Sequence, residues 1–240
     1  AHAQMKTLRL HPGKERSLLL RHPWIFESAI AKGSADAGET VRVQSHTGEF
    51  LAWAAVSPQS NIRARVWSFD EDQRIDGAFL QSLCERAVQT RQRMHIPSNG
   101  LRLVHGESDD LPGMVVDRYG ETLVTQFLSC GTQRWKTVLA DALLAQTGLM
   151  RLYERSDTSS RALEGLPPQT GWLRGSGPTE LALQEHEWQF QVDIASGHKT
   201  GFYLDQGVSR KKFAQWAARL GVKDVLNCYC YTGGFTVAAL

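Results

Sequence analysis

The C-terminal residues 224–240 constrain the fold more than any other segment of this sequence. A short apolar run over 224–231 precedes Thr232, Gly233 and Gly234, and residues 235–240 read as the first turns of a helix. Strand, glycine turn and helix in this order are typical of the start of an α/β nucleotide-binding fold. A parallel sheet needs further strands, each returned by a crossover of a dozen or more residues. We therefore expect the sequence to stop within that domain.

The first part of the sequence, residues 5–73, is rich in strand patterns. Val41 and Val43 alternate with polar neighbours, a Thr-Gly turn follows, and residues 50–56 return, which predicts a hairpin. Over residues 61–69 we predict a strand with one core face and one cationic, aromatic face. The core face carries Ile62, Ala64 and Val66, and the other carries Arg63, Arg65 and Trp67.

Residues 74–195 alternate between helix and strand patterns, which predicts an α+β central domain. Residues 78–94 have the apolar spacing of an amphipathic helix, and a second helix is predicted around 135–143. The segments 114–117 and 122–128 predict a hairpin. Two further predictions are a loop over 165–178, which has three prolines and four glycines, and a strictly alternating strand over 187–194. After these, a helix is predicted over 205–220, ended by Gly221.

Composition and charge exclude several classes of protein. Apolar residues make up 42% and charged residues 22%, as in ordinary globular proteins. The net charge is only +2, so RNA binding would need a local basic patch. No apolar run approaches the length of a membrane span, so we expect no membrane partner. The four cysteines form no C-x-x-C pair, which argues against a zinc ribbon or disulfide framework and fits a cytoplasmic protein.

No metal site is predicted either. Glu185, His186 and Glu187 are consecutive, and neighbouring strand residues point to opposite faces, so they cannot all reach one ion. Asp109 and Asp110 are interpreted as loop and turn residues.

Eight segments together resemble the bacterial 23S ribosomal RNA methyltransferases that form 5-methylcytosine. This family has an RNA-binding PUA domain, a central domain and a Rossmann-like domain that binds S-adenosylmethionine. The resemblance covers nearly the whole sequence. Its segments are GKERSL at 13–18, RHPWIF at 21–26, IRARVW at 62–67, GESDDLPG at 106–113, VDRYG at 116–120, YERSD at 153–157, GHKTGFYLDQ at 197–206 and NCYCYTGGF at 227–235.

The resemblance implies three parts and two functional surfaces. The parts are a PUA-like β-barrel over 5–73, an α+β central domain over 74–195, and the incomplete start of the methyltransferase domain over 196–240. Glycine turns and free amides at the start of a helix suit a cofactor. The cofactor is expected to contact Lys199, Tyr203, Gln206, Asn227, Tyr229, Thr232, Gly233, Gly234 and Phe235. Ribosomal RNA is expected to contact Lys14, Arg16, Arg21, His22, Arg63, Arg65 and Trp67, because arginine can pair with phosphates and stack on bases.

Catalytic residues are not expected within these 240 residues. Cytosine C5 methylation needs a thiolate, but the family's nucleophilic cysteine comes later in its sequence. Cys228 and Cys230 are therefore interpreted as core or cofactor-lining residues in or beside a buried strand. Relatives usually have Arg where this sequence has Gly207, so a salt bridge from that position is in doubt.

Two alternatives stay open at the level of sequence. One is a non-catalytic RNA-binding or assembly module, and the other is a related methyltransferase acting on another base. Sequence beyond Leu240 would discriminate between them. The target nucleotide and the oligomeric state are also open, with a homodimer as one option.

Overall fold

The computed structural model describes residues 5–240, and its first unit is a six-stranded sheet. This unit comprises β1 (Thr7–Leu10), α1 (Arg16–Leu19), β2 (Trp24–Phe26), β3 (Ile30–Lys32), β4 (Thr40–Gln44), β5 (Phe50–Val56) and β6 (Ile62–Ser68). The strand order is β2-β6-β5-β4-β1-β3. Strands β1 and β4 are parallel, whereas the other neighbours are antiparallel.

The predicted hairpin of this unit is confirmed as β4 and β5. Val41 and Val43 are fully buried, as their alternation with polar residues predicts. Gly48 adopts a φ of +95° in the connecting turn, a conformation that glycine reaches without a Cβ clash. Ala64 and Val66 of β6 are buried against the same core.

The second unit is a five-stranded sheet covered by two helices. Its elements are α2 (Gly77–Arg93), β7 (Gly100–His105), β8 (Met114–Tyr119), β9 (Thr122–Phe127), α3 (Cys130–Arg134), α4 (Lys136–Thr147), β10 (Arg151–Ser156), α5 (Ser160–Leu163) and β11 (Gln169–Arg174). The order is β11-β10-β9-β8-β7, and only β9 and β10 are parallel because α3 and α4 form the crossover between them. Leu80 and Leu83 of α2 and Leu139 and Leu143 of α4 share one buried core. Both predicted helices and the predicted hairpin of β8 and β9 are thus confirmed.

The prediction of a loop over residues 165–178 is wrong in its middle. β11 pairs antiparallel with β10 and forms an edge of the sheet. Pro167 and Pro168 lie before this strand and Pro178 lies after it, so none removes a hydrogen bond within it. Gly171 has a φ of +129° at the open edge. Trp172 packs edge-on against Tyr153, with ring centroids 5.1 Å apart.

The two sheets meet through the face of β6 that does not carry Ala64 and Val66. Trp67 is 4% exposed and belongs, with Ala55, to the core of the second unit. Gly131 of α3 lies against both, since a β-carbon there would stand 2.6 Å from Ala55 Cβ and 3.0 Å from Trp67 Cζ2. This close approach makes the junction a packed interface.

The remaining elements form a third packing centre. They are β12 (Glu180–Glu185), β13 (Trp188–Asp193), α6 (Gly207–Leu220) and α7 (Gly234–Ala239). The predicted strand over 187–194 is confirmed as β13, which pairs with β12. Phe190 and Phe202 share a core with Tyr119 and Val124 of the central sheet, so packing is continuous across residue 195. The proposed domain boundary there stays a prediction.

The helices follow their sequence signals. The carboxylate of Asp76 accepts a 3.0 Å hydrogen bond from Phe79 N–H at the start of α2. The prediction that Gly221 ends α6 is confirmed, with a φ of +64°. Within residues 5–240, no helix combines the length and apolar character that crossing a membrane requires.

The strand predicted over residues 224–231 is not formed. The segment is an irregular loop in which Leu226 is 88% exposed, and both Cys228 and Cys230 are exposed. A strand needs a neighbour to pair its N–H and C=O groups, and none lies beside this segment among the described residues. The prediction that the two cysteines lie in or beside a buried strand is therefore wrong. The glycine turn into α7 is confirmed, with Gly233 at a φ of +77°.

Candidate cofactor-binding site

An open cleft of about 500 Å³ separates the segment before α6 from the loop before α7. Six of the nine residues predicted to bind a cofactor line it. They are Tyr203, Gln206, Tyr229, Thr232, Gly234 and Phe235. The two segments that resemble cofactor-binding segments are thus brought face to face.

The other three predicted residues do not line the cleft. Lys199 Nζ stands 3.3 Å from an Asp205 carboxylate oxygen and 4.3 Å from the centre of the Tyr203 ring. Asn227 donates a 2.8 Å hydrogen bond to Thr236 Oγ1, and Gly233 supplies the turn into α7. These contacts stabilise the walls of the cleft from behind.

Four residues that line the cleft were not predicted: His198, Phe202, Arg210 and Tyr231. Cys230, which was interpreted as a core or cofactor-lining residue, also lines it. His198 and Tyr231 stack with ring centroids 4.3 Å apart. The Tyr231 hydroxyl accepts from His198 N–H at 2.8 Å and donates to Gly201 C=O at 3.1 Å. The interleaved glycines and aromatic residues of the two segments were the available signal, whereas nothing in the sequence singled out Arg210.

Arg210 is almost completely buried and forms the base of one wall. Its Nη2 and Nε lie 2.7 and 2.8 Å from the two Glu185 carboxylate oxygens. Its guanidinium also stands 4.7 Å from the centre of the Phe202 ring. A β-carbon on Gly207 would lie 2.9 Å from Glu185 Oε2, so residue 207 adjoins this carboxylate. Arg210 therefore neutralises the charge of Glu185. Arg210 lies about one helical turn after Gly207, the position where relatives usually have Arg.

Two ion pairs engage the acidic residues on either side of His186. Glu185 is committed to Arg210, and Glu187 forms a 2.6 Å ion pair with Lys211. The hydrogen bond and the charge of Lys211 hold the pKa of Glu187 below its ordinary value. Among residues 5–240, no group of three or more His, Cys, Asp or Glu side chains is arranged to hold a metal ion.

Backbone conformations around the cleft are unusual for residues with side chains. Lys199, Tyr229 and Tyr231 have φ values of +57°, +56° and +50°. Such left-handed conformations cost about 1 kcal/mol or more each and persist where surrounding contacts over-determine them. They cluster in the two segments that form the cleft, as strained residues often do at functional sites.

The residues predicted to bind RNA fall into two groups. Lys14, Arg16, Arg21 and His22 are exposed on and beside α1. Arg21 also lies over the Phe69 ring, with its guanidinium 5.5 Å from the ring centre. These four residues occupy one end of the first unit.

The structure removes Arg65 and Trp67 from that surface. Trp67 is buried in the interface between the sheets, and Arg65 Nη2 forms a 2.8 Å ion pair with the buried Glu164. Arg63 is half-buried and pairs with the exposed Glu27 at 2.8 Å. The part of this strand face that carries Arg65 and Trp67 therefore packs against the central domain.

Comparison with known proteins first defines the class of fold. A family model described as a PUA-like domain matches residues 8–69. A structure described as a SAM-dependent methyltransferase from Streptococcus mutans superposes with a TM-score of 0.81 at 20% identity. The superposition covers 98% of this chain and 60% of the Streptococcus mutans protein. A methyltransferase complexed with SAH superposes with a TM-score of 0.83, also at 20% identity, with the same coverages. The chain thus has the fold of the corresponding part of a SAM-dependent methyltransferase with a PUA-like domain.

The chain is also similar to curated proteins over almost its whole length. The chain is 46% identical over 241 residues to the ribosomal RNA large subunit methyltransferase I of Cronobacter sakazakii, and 44% identical over 236 residues to that of Pseudoalteromonas atlantica. The alignments cover 97% and 96% of this chain and 59% of each relative. These matches confirm the predicted resemblance to this family, and the chain spans about three fifths of the length of these relatives.

Proposed function

We propose that this chain supplies two facing walls of an S-adenosylmethionine site and an RNA-contacting surface to a methyltransferase that acts on large-subunit ribosomal RNA. The observation that carries the proposal is the cleft between the two segments 198–210 and 229–235. The names of the curated relatives support the ribosomal RNA substrate.

The residues of the cleft fit the cofactor. Phe202, Tyr203 and Tyr231 offer aromatic faces that suit an adenine ring or a sulfonium cation. The side chains of Gln206 and Thr232 can hydrogen-bond to polar groups of the cofactor. When bound, S-adenosylmethionine supplies an electrophilic methyl group on its sulfur.

Neutral surroundings and close backbone approach complete this fit. Glu185 neutralises Arg210, so the wall presents no unpaired cation to the sulfonium group. Gly234 lines the cleft and lets its two walls approach each other closely, because a β-carbon there would lie 3.2 Å from Arg210 Cδ and 3.4 Å from Phe202 Cζ. The role of this chain is thus to bind and orient the methyl donor.

We propose cytosine carbon 5 as the methyl acceptor, on the strength of the family resemblance. This reaction requires a thiolate nucleophile. We assign that role to neither Cys228 nor Cys230, because Cys230 lines the proposed cofactor cleft and Cys228 lies in the exposed loop before it.

The RNA-contacting surface is proposed at the exposed end of the first unit. In the described part of the chain, no acidic side chain forms an ion pair with Lys14, Arg16 or Arg21. Unpaired cations can neutralise phosphates and release counterions. His22 and the ring of Phe69 lie beside them and can contact bases or sugars.

Calorimetry with S-adenosylhomocysteine tests the cofactor site. Replacing the cleft residue Gln206 by alanine is expected to weaken binding roughly fivefold, as the loss of one hydrogen bond does. The matched control is Gln191→Ala, because Gln191 is exposed on β13 outside the cleft. Equal affinities for both variants would refute the assignment of Gln206, and no binding by the wild-type chain would refute the donor site.

Mapping of methylated positions tests the acceptor. A protein that contains this chain together with the nucleophilic cysteine, incubated with large-subunit ribosomal RNA fragments and labelled methyl donor, should label one cytosine. Label on another base would favour the related methyltransferase. RNA binding without any methyl transfer would favour a non-catalytic assembly module.

A further inference from the structure

A group of polar side chains, three of them buried, joins the central sheet to one wall of the cleft. It consists of Arg102 on β7, Asp117 and Tyr119 on β8, and Thr200 in the segment before α6, and we call it the polar bridge. Asp117 and Thr200 are fully buried and Tyr119 is 1% exposed. Arg102 Nε and Nη2 lie 2.8 and 3.0 Å from the Asp117 carboxylate oxygens.

The direction of each hydrogen bond in the polar bridge is fixed by chemistry. The Asp117 carboxylate can only accept, so the Thr200 hydroxyl donates to Oδ2 at 2.5 Å. Thr200 Oγ1 must then accept from the Tyr119 hydroxyl at 2.8 Å, and Tyr119 in turn accepts from Phe202 N–H at 3.1 Å. Burial and the nearby Asp117 raise the pKa of Tyr119 above its ordinary value, so the phenol stays protonated and can donate this hydrogen bond.

The bridge holds a segment that has a strained backbone. Lys199 and Gly201, on either side of Thr200, have φ values of +57° and +142°. The next residue, Phe202, lines the cleft and packs against Phe190 with ring centroids 5.1 Å apart. Without the bridge, the costly conformation at residue 199 would lose the contacts that over-determine it.

The opposite wall depends on the same segment. The Tyr231 hydroxyl donates to Gly201 C=O and accepts from His198 N–H, so the loop over 229–235 is tied to residues 198–201. Hydrogen bonds through residues 199–201 therefore connect both walls of the cleft to β8. A displacement of this segment would move Phe202 and Tyr231 together.

We infer that Asp117 and Tyr119 are positioning residues that fix the two walls of the cofactor cleft relative to the central sheet. This inference rests on the proposed function for the identity of the ligand. Neither residue lines the cleft, so each acts through Thr200 and Phe202.

The test compares two tyrosine variants in the same core. Tyr119→Phe removes the hydroxyl that links Thr200 to Phe202 N–H and keeps the ring. Tyr153→Phe is the matched control, because Tyr153 is 8% exposed in the same core and no hydrogen bond from its hydroxyl is seen among residues 5–240. Thr200→Val and Thr200→Ser form a second pair, since only serine retains the bridging hydroxyl.

Affinity for S-adenosylhomocysteine and amide hydrogen exchange of residues 198–202 and 229–235 are measured for each variant. Tyr119→Phe and Thr200→Val should bind about five- to tenfold more weakly, the effect of one buried hydrogen bond. Their exchange should be faster in both segments. Thr200→Ser should recover most of the wild-type affinity, and Tyr153→Phe should behave like the wild type.

The outcomes separate the inference from the proposed function. Unchanged affinity in Tyr119→Phe and Thr200→Val, or equal losses in Tyr153→Phe, would overturn the positioning role. If the wild type bound no S-adenosylhomocysteine, the proposed cofactor would fall and hydrogen exchange would decide the inference alone. Faster exchange at both segments in Tyr119→Phe would then support it, and unchanged exchange would overturn it.

Discussion

Replacing Arg65 by alanine is expected to destabilise the junction between the PUA-like unit and the central sheet. The Arg65 side chain is 13% exposed and Glu164 is 2% exposed, with Nη2 and Oε1 2.8 Å apart. Arg65 also lies 3.4 Å from a Glu107 oxygen and 5.5 Å from the centre of the Trp24 ring. Its removal leaves the Glu164 carboxylate buried without a cation.

The expected loss is about 3 kcal/mol in the free energy of unfolding, the lower end for breaking a buried ion pair. The lower end applies because Glu164 keeps hydrogen bonds from the Ser57 hydroxyl and from Cys130 N–H. Arg63→Ala is the matched control on the same strand. Its partner Glu27 is 60% exposed, so the loss should stay below about 1 kcal/mol.

Urea denaturation of the single variants and of Arg65→Ala/Glu164→Gln measures these differences. The double variant should recover part of the loss because it removes the buried charge, with a coupling energy of about 1 to 3 kcal/mol. An RNA role for the two arginines makes a different prediction. Each variant would then keep its stability and reduce the slope of RNA affinity against salt by about 1. Equal stability of Arg63→Ala and Arg65→Ala would refute the structural assignment.

Three further variants test packing, protonation and the cleft. Gly131→Ala should lower the free energy of unfolding by about 1 to 3 kcal/mol, since its β-carbon would overlap the domain interface; Gly77→Ala, with 3.7 Å of room to Val138, should not lower it. A hydrogen bond from Ser196 lowers the pKa of Asp193 in the folded state, so its stabilisation is present above the unfolded pKa near 4 and is lost as the pH falls through the folded value. As the pH is lowered, the free energy of unfolding should therefore fall less steeply in Asp193→Asn than in the wild type, and an identical pH dependence would contradict this. Gly234→Val should weaken S-adenosylhomocysteine binding about tenfold by displacing Arg210 and Phe202, and calorimetry showing an unchanged affinity would refute that contact.

Local periodicity was sufficient to predict about half of the regular elements. The hairpin of β4 and β5, the helix α2 and the strand β13 each carry their period within a short window. Their burial patterns follow the same residues that set the period, as at Val41 and Val43.

The failures arose where the outcome depends on neighbours. Residues 224–231 have the apolar character of a strand, yet no strand beside them in the described chain supplies hydrogen-bond partners. Strand β11 was not predicted because prolines flank it, although they lie outside its hydrogen-bonded residues. The prediction that Arg65 and Trp67 form an RNA-binding face failed because their partners, Glu164 and Gly131, are remote in sequence.

The site could be predicted in outline but not in its supports. Motif resemblance identified the two segments of the cleft and six of its lining residues. The ion pair of Arg210 with Glu185 and the bridge of Asp117 with Thr200 connect residues 25 and 83 positions apart. No local sequence pattern predicts such pairs, because they depend on how the hairpin of β12 and β13 and the central sheet pack around Phe202.

The most direct test of the donor site uses the two exposed cysteines of the loop before α7. Cys230 lines the cleft and Cys228 does not, although both are exposed. Alkylation by iodoacetamide is followed at each thiol by mass spectrometry, with and without saturating S-adenosylhomocysteine. The proposal predicts that the ligand slows alkylation of Cys230 and leaves the rate at Cys228 unchanged. Equal rates at Cys230 with and without the ligand would contradict the assignment of this cleft as the methyl-donor site.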